Sequence, residues 1–130
     1  MPTINDGDRE QIIRDAIKSA QAKGIALRLQ GWGVVWHDKK GWIPNKQNSC
    51  CALGCVLLEG QDKIQRKLNW RSWTIETILG CDADWIRSFQ RGFDRYERVK
   101  SDDGMFAYDL GMLLSEELIG KDAQTKLPYM

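Results

Sequence analysis

The run Cys50-Cys51-Ala52-Leu53-Gly54-Cys55-Val56-Leu57-Leu58 constrains the fold more than any other stretch of the chain. Nearly every residue in it is small or apolar. A helix from Cys50 through Leu58, capped by Asn48 or Ser49 and stopped by Gly60, is therefore buried on most sides. Such a helix belongs in an interior, and other elements must cover it.

The covering elements can be read from hydrophobic period and turn residues. Residues 1 to 8 form a flexible lead-in that ends in a helix N-cap at Asp6 or Asp8. From Arg9 to Lys23, the residues Ile12, Ile13, Ala16, Ile17 and Ala20 make a helical stripe, and Gly24 is its stop. Ile25, Leu27 and Leu29 then alternate with polar or small residues, a strand pattern. Val34 to Trp36 and Trp42-Ile43 flank turn-forming residues His37 to Gly41, and Pro44-Asn45 closes the segment. The expectation is a small β-hairpin or extended flap near residues 25–43, packed on helices because so few strands do not stand alone in water.

Further helices are predicted over Asp62 to Leu68, from Ala83 to about Val99 behind an Asp82 cap, and from Met105 to Ile119, while Ser72 or Thr74 opens a segment ending in Ile78-Leu79-Gly80. Residues 121–130 form a flexible polar tail. The predicted fold class is α+β, predominantly α-helical, with five or six helices in a single globular domain spanning residues 1–130. Gly54, Gly92 and Gly111 lie inside predicted helices, where each costs about 1 kcal/mol relative to alanine, so each marks a close approach by another segment.

Composition narrows the class of function. The chain has 130 residues, 42% of them apolar and 28% charged, with a formal net charge of +1. That composition belongs to a folded domain without a global field that would attract nucleic acid or a membrane surface. No stretch approaches the roughly 20 apolar residues of a membrane span, and Met1 to Arg14 lacks the apolar core of a secretory signal. The expected location is the cytoplasm, where Cys50, Cys51, Cys55 and Cys81 would be free thiols. No phosphate-binding glycine motif, metalloprotease helix or calcium loop occurs, so no cofactor is assigned.

Three clusters carry candidate chemistry. The first is cysteine-rich. A thiol at a helix start feels the positive end of the helix dipole, so Cys50 or Cys51 with His37 outlines a cysteine-dependent enzyme. Cys51 and Cys55, one helical turn apart, together with His37 and Cys81, outline a metal-assisted one, although no pair has the short spacing of a zinc knuckle. Packing in the core is the favoured reading of these thiols, so no catalytic residue and no metal ligand is assigned.

The second cluster is basic. Arg87, Arg91, Arg95 and Arg98 fall at intervals of four, four and three, which on one helix forms a single face suited to an anionic partner. Lys63, Arg66, Lys67 and Arg71, beside Trp70 and Trp73, add a second basic stretch. Residues 62 to 100 nevertheless hold nine basic and six acidic side chains, too small an excess to favour nucleic acid.

The third cluster is Trp32, Trp36 and Trp42, which line a partner groove or glue the hairpin to helices. Asp94, Asp109, Glu116 and Glu117 are helix carboxylates expected to serve in salt bridges. The leading expectation is a non-enzymatic interaction module that binds a protein or other anionic partner through the four arginines, with the three tryptophans as a second surface. The alternatives are a cysteine-dependent or metal-assisted enzyme centred on His37, Cys50 and Cys51, and a single-stranded nucleic-acid binder.

Overall fold

The computed structural model describes residues 5–29, 31–60 and 75–120, and the chain divides into two compact units, Met1–Asp82 and Ala83–Met130. The described residues are mostly helical, with five α-helices and two small two-stranded sheets. None of those helices is long and apolar enough to cross a membrane. The expected helix at 62–68, the segment opening at Ser72 or Thr74, the basic stretch from Lys63 to Arg71 with its two tryptophans, and the tail at 121–130 lie outside the described residues.

In the first unit, α1 spans Asp6–Ala22 and buries Ile13, Ala16, Ile17 and Ala20. Its cap is Asn5 rather than Asp6 or Asp8. The Asn5 side chain accepts from the Asp8 amide at 2.8 Å, and Asp8 returns the bond to the Asn5 amide at 3.1 Å. This reciprocal pair satisfies two of the orphan donors of the first turn, and neither aspartate acting alone would do so. The helix ends as its sequence indicates. Gly24, at φ +85°, adopts the left-handed conformation that glycine reaches without a Cβ clash. The Gly24 and Ile25 amides then donate back to the carbonyls of Gln21 and Ala20 at 3.0 Å each.

The thiol-rich run starts differently from the expected helix. Ser49–Cys50 is a short strand, β4, paired in parallel with β1 (Ala26–Leu27), so that Leu27 faces Cys50. The helix α2 runs over Ala52–Gly60. Two facts pull Cys50 out of the helix. Asn48 takes a left-handed turn at φ 53°, and the Cys50 carbonyl accepts the Arg28 amide at 3.0 Å. The burial expected of the run is present, because Ala52 through Glu59 are all buried. A Cβ at Gly54 would overlap the carbonyl oxygen of Trp32, which explains glycine inside this helix. Glu59, the one charged residue of α2, is fastened to α1 by Ser19 at 2.8 Å and by Lys23 at 2.9 Å. A carboxylate with two donors can be buried at tolerable cost.

Between β1 and β4, the strands β2 (Val34–His37) and β3 (Gly41–Pro44) form an antiparallel hairpin with Trp36 opposite Trp42. The hairpin expected near 25–43 is therefore present, although its first apolar stretch pairs with β4 and not with the hairpin. A short helix, α3 (Ile75–Leu79), ends at Gly80, and Arg9 donates to the carbonyls of Leu79 at 3.0 Å and Gly80 at 2.7 Å.

The second unit is built on α4 (Ala83–Phe93) and α5 (Phe106–Leu118). Along α4, Trp85, Phe89 and Phe93 stack in sequence, with centroids 5.7 Å and 6.0 Å apart. The two helices touch through glycine. A Cβ at Gly92 would overlap the Tyr108 carbonyl oxygen, and one at Gly111 would overlap the Phe89 carbonyl oxygen. Backbone on backbone leaves no room for a methyl group, which accounts for both interior glycines.

The helix expected to reach Val99 stops at Phe93. Arg95, at φ 65°, occupies the left-handed position of a helix stop, its amide donating to Gly92 at 3.1 Å and that of Tyr96 to Arg91 at 2.9 Å. This is the hydrogen-bond pattern that glycine usually hosts. A non-glycine residue there costs about 1–2 kcal/mol, and the side-chain bonds of Arg95 described below offset it.

Candidate functional site

Because α4 ends at Phe93, only Arg87 and Arg91 of the expected arginine row are helical, and the four side chains have separate destinations. Arg91 grips Asp102 with two nitrogens, at 2.9 Å from Nε and 2.6 Å from a terminal nitrogen. Arg95 donates to the Ser115 hydroxyl at 2.5 Å and to the carbonyls of Ser115 at 3.0 Å and Gly120 at 2.6 Å, closing the C-terminal end of α5. Arg98 lies over the Tyr108 ring at 4.3 Å and donates to Asp109 at 2.5 Å and to the Asp102 carbonyl at 3.1 Å. Arg87 pairs with Asp84 one turn earlier on the helix surface, and its side chain is 58% exposed. It is the one of the four that does not fasten one segment to another.

In the sequence Asp102 reads only as part of a Ser-Asp-Asp-Gly loop. It sits in a 3-10 turn, Lys100–Asp102, and is fully buried at 0% exposure, whereas Asp103 is exposed. Arg91, Ser88 and the Val99 amide all donate to its carboxylate. The Arg91 hydrogen bonds are the main cause holding its pKa well below the usual carboxylate range, and they outweigh the opposing effect of burial. Nothing in the sequence separates Asp102 from Asp103; only the turn decides which one points inward. Asp109, one of the expected salt-bridge carboxylates, does accept from an arginine, at the surface.

The hairpin distributes its side chains by strand alternation. Val34, Trp36, Trp42 and Pro44 share one face, and all four are only partly covered. Trp36 and Trp42 meet edge to face with centroids 5.3 Å apart, the arrangement favoured by the ring quadrupoles. The Trp36 indole donates to Asp38 at 3.2 Å. On the other face Val35 is 47% exposed. Lys39, Lys40 and Lys46 are exposed around the hairpin, with Asp38 as its single acidic residue. Trp32 is also partly covered, and its carbonyl accepts the Cys51 amide at 3.3 Å, so its backbone anchors the hairpin's entry to the start of α2.

His37 and the cysteines of α2 and β4 have separate hydrogen-bond partners. The Nδ1 of His37 accepts the amides of Lys39 and Lys40, both at 3.2 Å, so this nitrogen serves the hairpin turn. Cys50, Cys51 and Cys55 are buried, Cys81 is partly covered, and all four are free thiols. The sulfurs of Cys50 and Cys55 lie 3.3 Å apart, while the Cys51 sulfur accepts the Gly54 amide at 3.4 Å. The hydrogen bond from Cys55 lowers the Cys50 pKa and raises that of Cys55, and burial raises Cys55 further. Burial pushes the Cys81 thiol up to about 11. Among the described residues, no three His, Cys, Asp or Glu side chains are grouped to hold a metal ion.

The chain matches no protein-family model, no curated protein and no solved structure.

Proposed function

We propose that this chain is a non-enzymatic interaction module that holds an acidic protein partner against its β2–β3 hairpin, with Trp36 and Trp42 as the anchoring side chains. The observation that carries this reading is the hairpin face itself. Val34, Trp36, Trp42 and Pro44 form a strip of apolar surface that none of its neighbours fully covers. Tryptophan supplies more contact area than any other side chain and is enriched among residues that dominate binding energy. Three exposed lysines against one aspartate give the strip a basic rim, which favours an acidic partner and repels basic ones. Trp32, just before the hairpin, is a further contact. In the second unit the basic-surface reading rests on Arg87, because Arg91, Arg95 and Arg98 serve α4 and α5 themselves.

The test is capture by the immobilised full chain, identification of the retained protein, and rebinding of that protein once purified. Trp36→Ala with Trp42→Ala should weaken rebinding by at least about tenfold, as the loss of a hot-spot residue does. Lys39→Glu with Lys40→Glu should weaken it less and reduce its salt dependence. Lys18→Ala, at an exposed position on α1, should change nothing. Rebinding indifferent to the tryptophans would refute the hairpin as the contact surface. Capture abolished by nuclease treatment would refute a protein partner in favour of nucleic acid.

A further inference from the structure

The buried thiol pair holds chemistry that an interaction surface does not use. Cys50 lies on β4 and Cys55 in the first turn of α2, so the two sulfurs belong to different elements that meet at one point. Each residue is almost wholly enclosed, at 0% and 1% exposure. Their separation of 3.3 Å is already hydrogen-bonding contact. A disulfide needs about 2.05 Å, so the two sulfurs together must close by only about 1.2 Å. Cys51 is held apart from this pairing by the Gly54 amide on its sulfur, and Cys81 lies beyond α3 in the chain.

We propose that Cys50 and Cys55 are a redox-responsive dithiol that a small neutral hydroperoxide converts to an intramolecular disulfide, stapling β4 to the start of α2. Cys50 is the attacking sulfur, because the Cys55 hydrogen bond stabilises its thiolate. Its sulfur takes the terminal oxygen of the hydroperoxide, forming a sulfenic acid and releasing water or an alcohol after protonation. Cys55 then loses its proton and attacks the Cys50 sulfur, expelling the oxygen as water. Two thiols and one hydroperoxide thus give one disulfide, one water and one alcohol, or two waters when the oxidant is hydrogen peroxide. The enclosure of both sulfurs selects the oxidant, since a peroxide molecule is small and uncharged whereas a protein or glutathione disulfide is neither.

The full, reduced chain is exposed to hydrogen peroxide, then unfolded in an alkylating agent and weighed by mass spectrometry. The expected product has lost two hydrogens, retains two of its four alkylatable thiols, carries the new bond between Cys50 and Cys55, and regains all four thiols with dithiothreitol. The double variant Cys51→Ala, Cys81→Ala should give the same bond, and Cys50→Ala or Cys55→Ala should lose it. The wild-type peptide map decides the matter even if a variant fails to fold. A bond that maps to Cys51 or Cys81, four thiols left unreacted, or irreversible sulfinic and sulfonic products would each overturn the proposal.

Discussion

In the α4–α5 unit the aromatic side chains Trp85, Phe89 and Phe93 are buried and stacked, and Arg91, Arg95 and Arg98 each bond to other groups of the same unit, Arg98 at its surface. In the β2–β3 hairpin the aromatic side chains Trp36 and Trp42 meet edge to face and remain partly outside, and Lys39 and Lys40 in the turn are exposed. The first region spends its polar groups on its own backbone ends and on one buried carboxylate. In the second, the side-chain hydrogen bonds are local to the turn, from the Trp36 indole to Asp38 and from the Lys39 and Lys40 amides to His37. A row of charges in a sequence is thus a statement about spacing. Whether it is a surface depends on which carbonyls and carboxylates lie within reach. Arg9, in the first unit, makes the same point: it reads as an ordinary helix charge and serves as the C-terminal cap of α3.

The largest effect should come from breaking the internal use of charge. Arg91→Ala strands the buried Asp102 with only Ser88 and the Val99 amide, and removing one partner of a buried ion pair costs on the order of 3 kcal/mol. Chemical denaturation of the full chain should register that loss. The same pair sets an acid limit. The folded pKa of Asp102 lies below its unfolded value, so its stabilising contribution is complete above the ordinary carboxylate pKa of about 3.9 and drains away as pH falls below it. Asp102→Asn should flatten the acid side of the stability profile. An unaltered acid limb in that variant would mean that Asp102 is not the group responsible.

Asp102 also marks where the sequence stops being legible. The positions of α1 and α5, the hairpin, the Gly24 stop and the close approaches at Gly54, Gly92 and Gly111 all follow from local periodicity and backbone freedom. These signals lie within a few residues of the structure they dictate. The end of α4 does not follow in this way. A left-handed arginine at position 95 is paid for by Ser115 and Gly120, twenty or more residues away, and no local pattern announces such partners. The strand position of Cys50 is hidden from the sequence for the same reason. Its strand exists because β1, over twenty residues earlier, offers a ladder, whereas composition alone points to the helix it precedes. The hairpin tryptophans were legible as a cluster, but their exposure depends on how the ladder sorts its two faces.

An intermediate effect should separate contact-limited glycines from conformation-limited ones. Gly92→Ala forces a methyl group into the Tyr108 carbonyl, a backbone atom that no rotamer change can move, so a loss of about 2 kcal/mol or more is expected. Gly24→Ala meets nothing within 4 Å and suffers only its positive φ, a cost of about 1 kcal/mol. Both are read as shifts in denaturant midpoint at constant m. Equal costs would show that α4 and α5 separate easily, and the contrast between a knitted helix pair and a lightly tied hairpin would lose its basis.

The smallest effect belongs to Arg87. Its partner Asp84 is 75% exposed at the side chain, and ion pairs in water contribute little because solvent screens the attraction and two long side chains must be immobilised to gain it. Arg87→Ala should therefore shift stability by no more than about 0.5 kcal/mol, against the several-fold larger cost of Arg91→Ala one turn along the same helix. The two residues share a charge, a helix and a spacing that makes them neighbours, so the pair isolates destination from identity. If Arg87→Ala proved as costly as Arg91→Ala, Arg87 would be one more internal fastener, and the basic-surface reading of the second unit would have no arginine left to rest on.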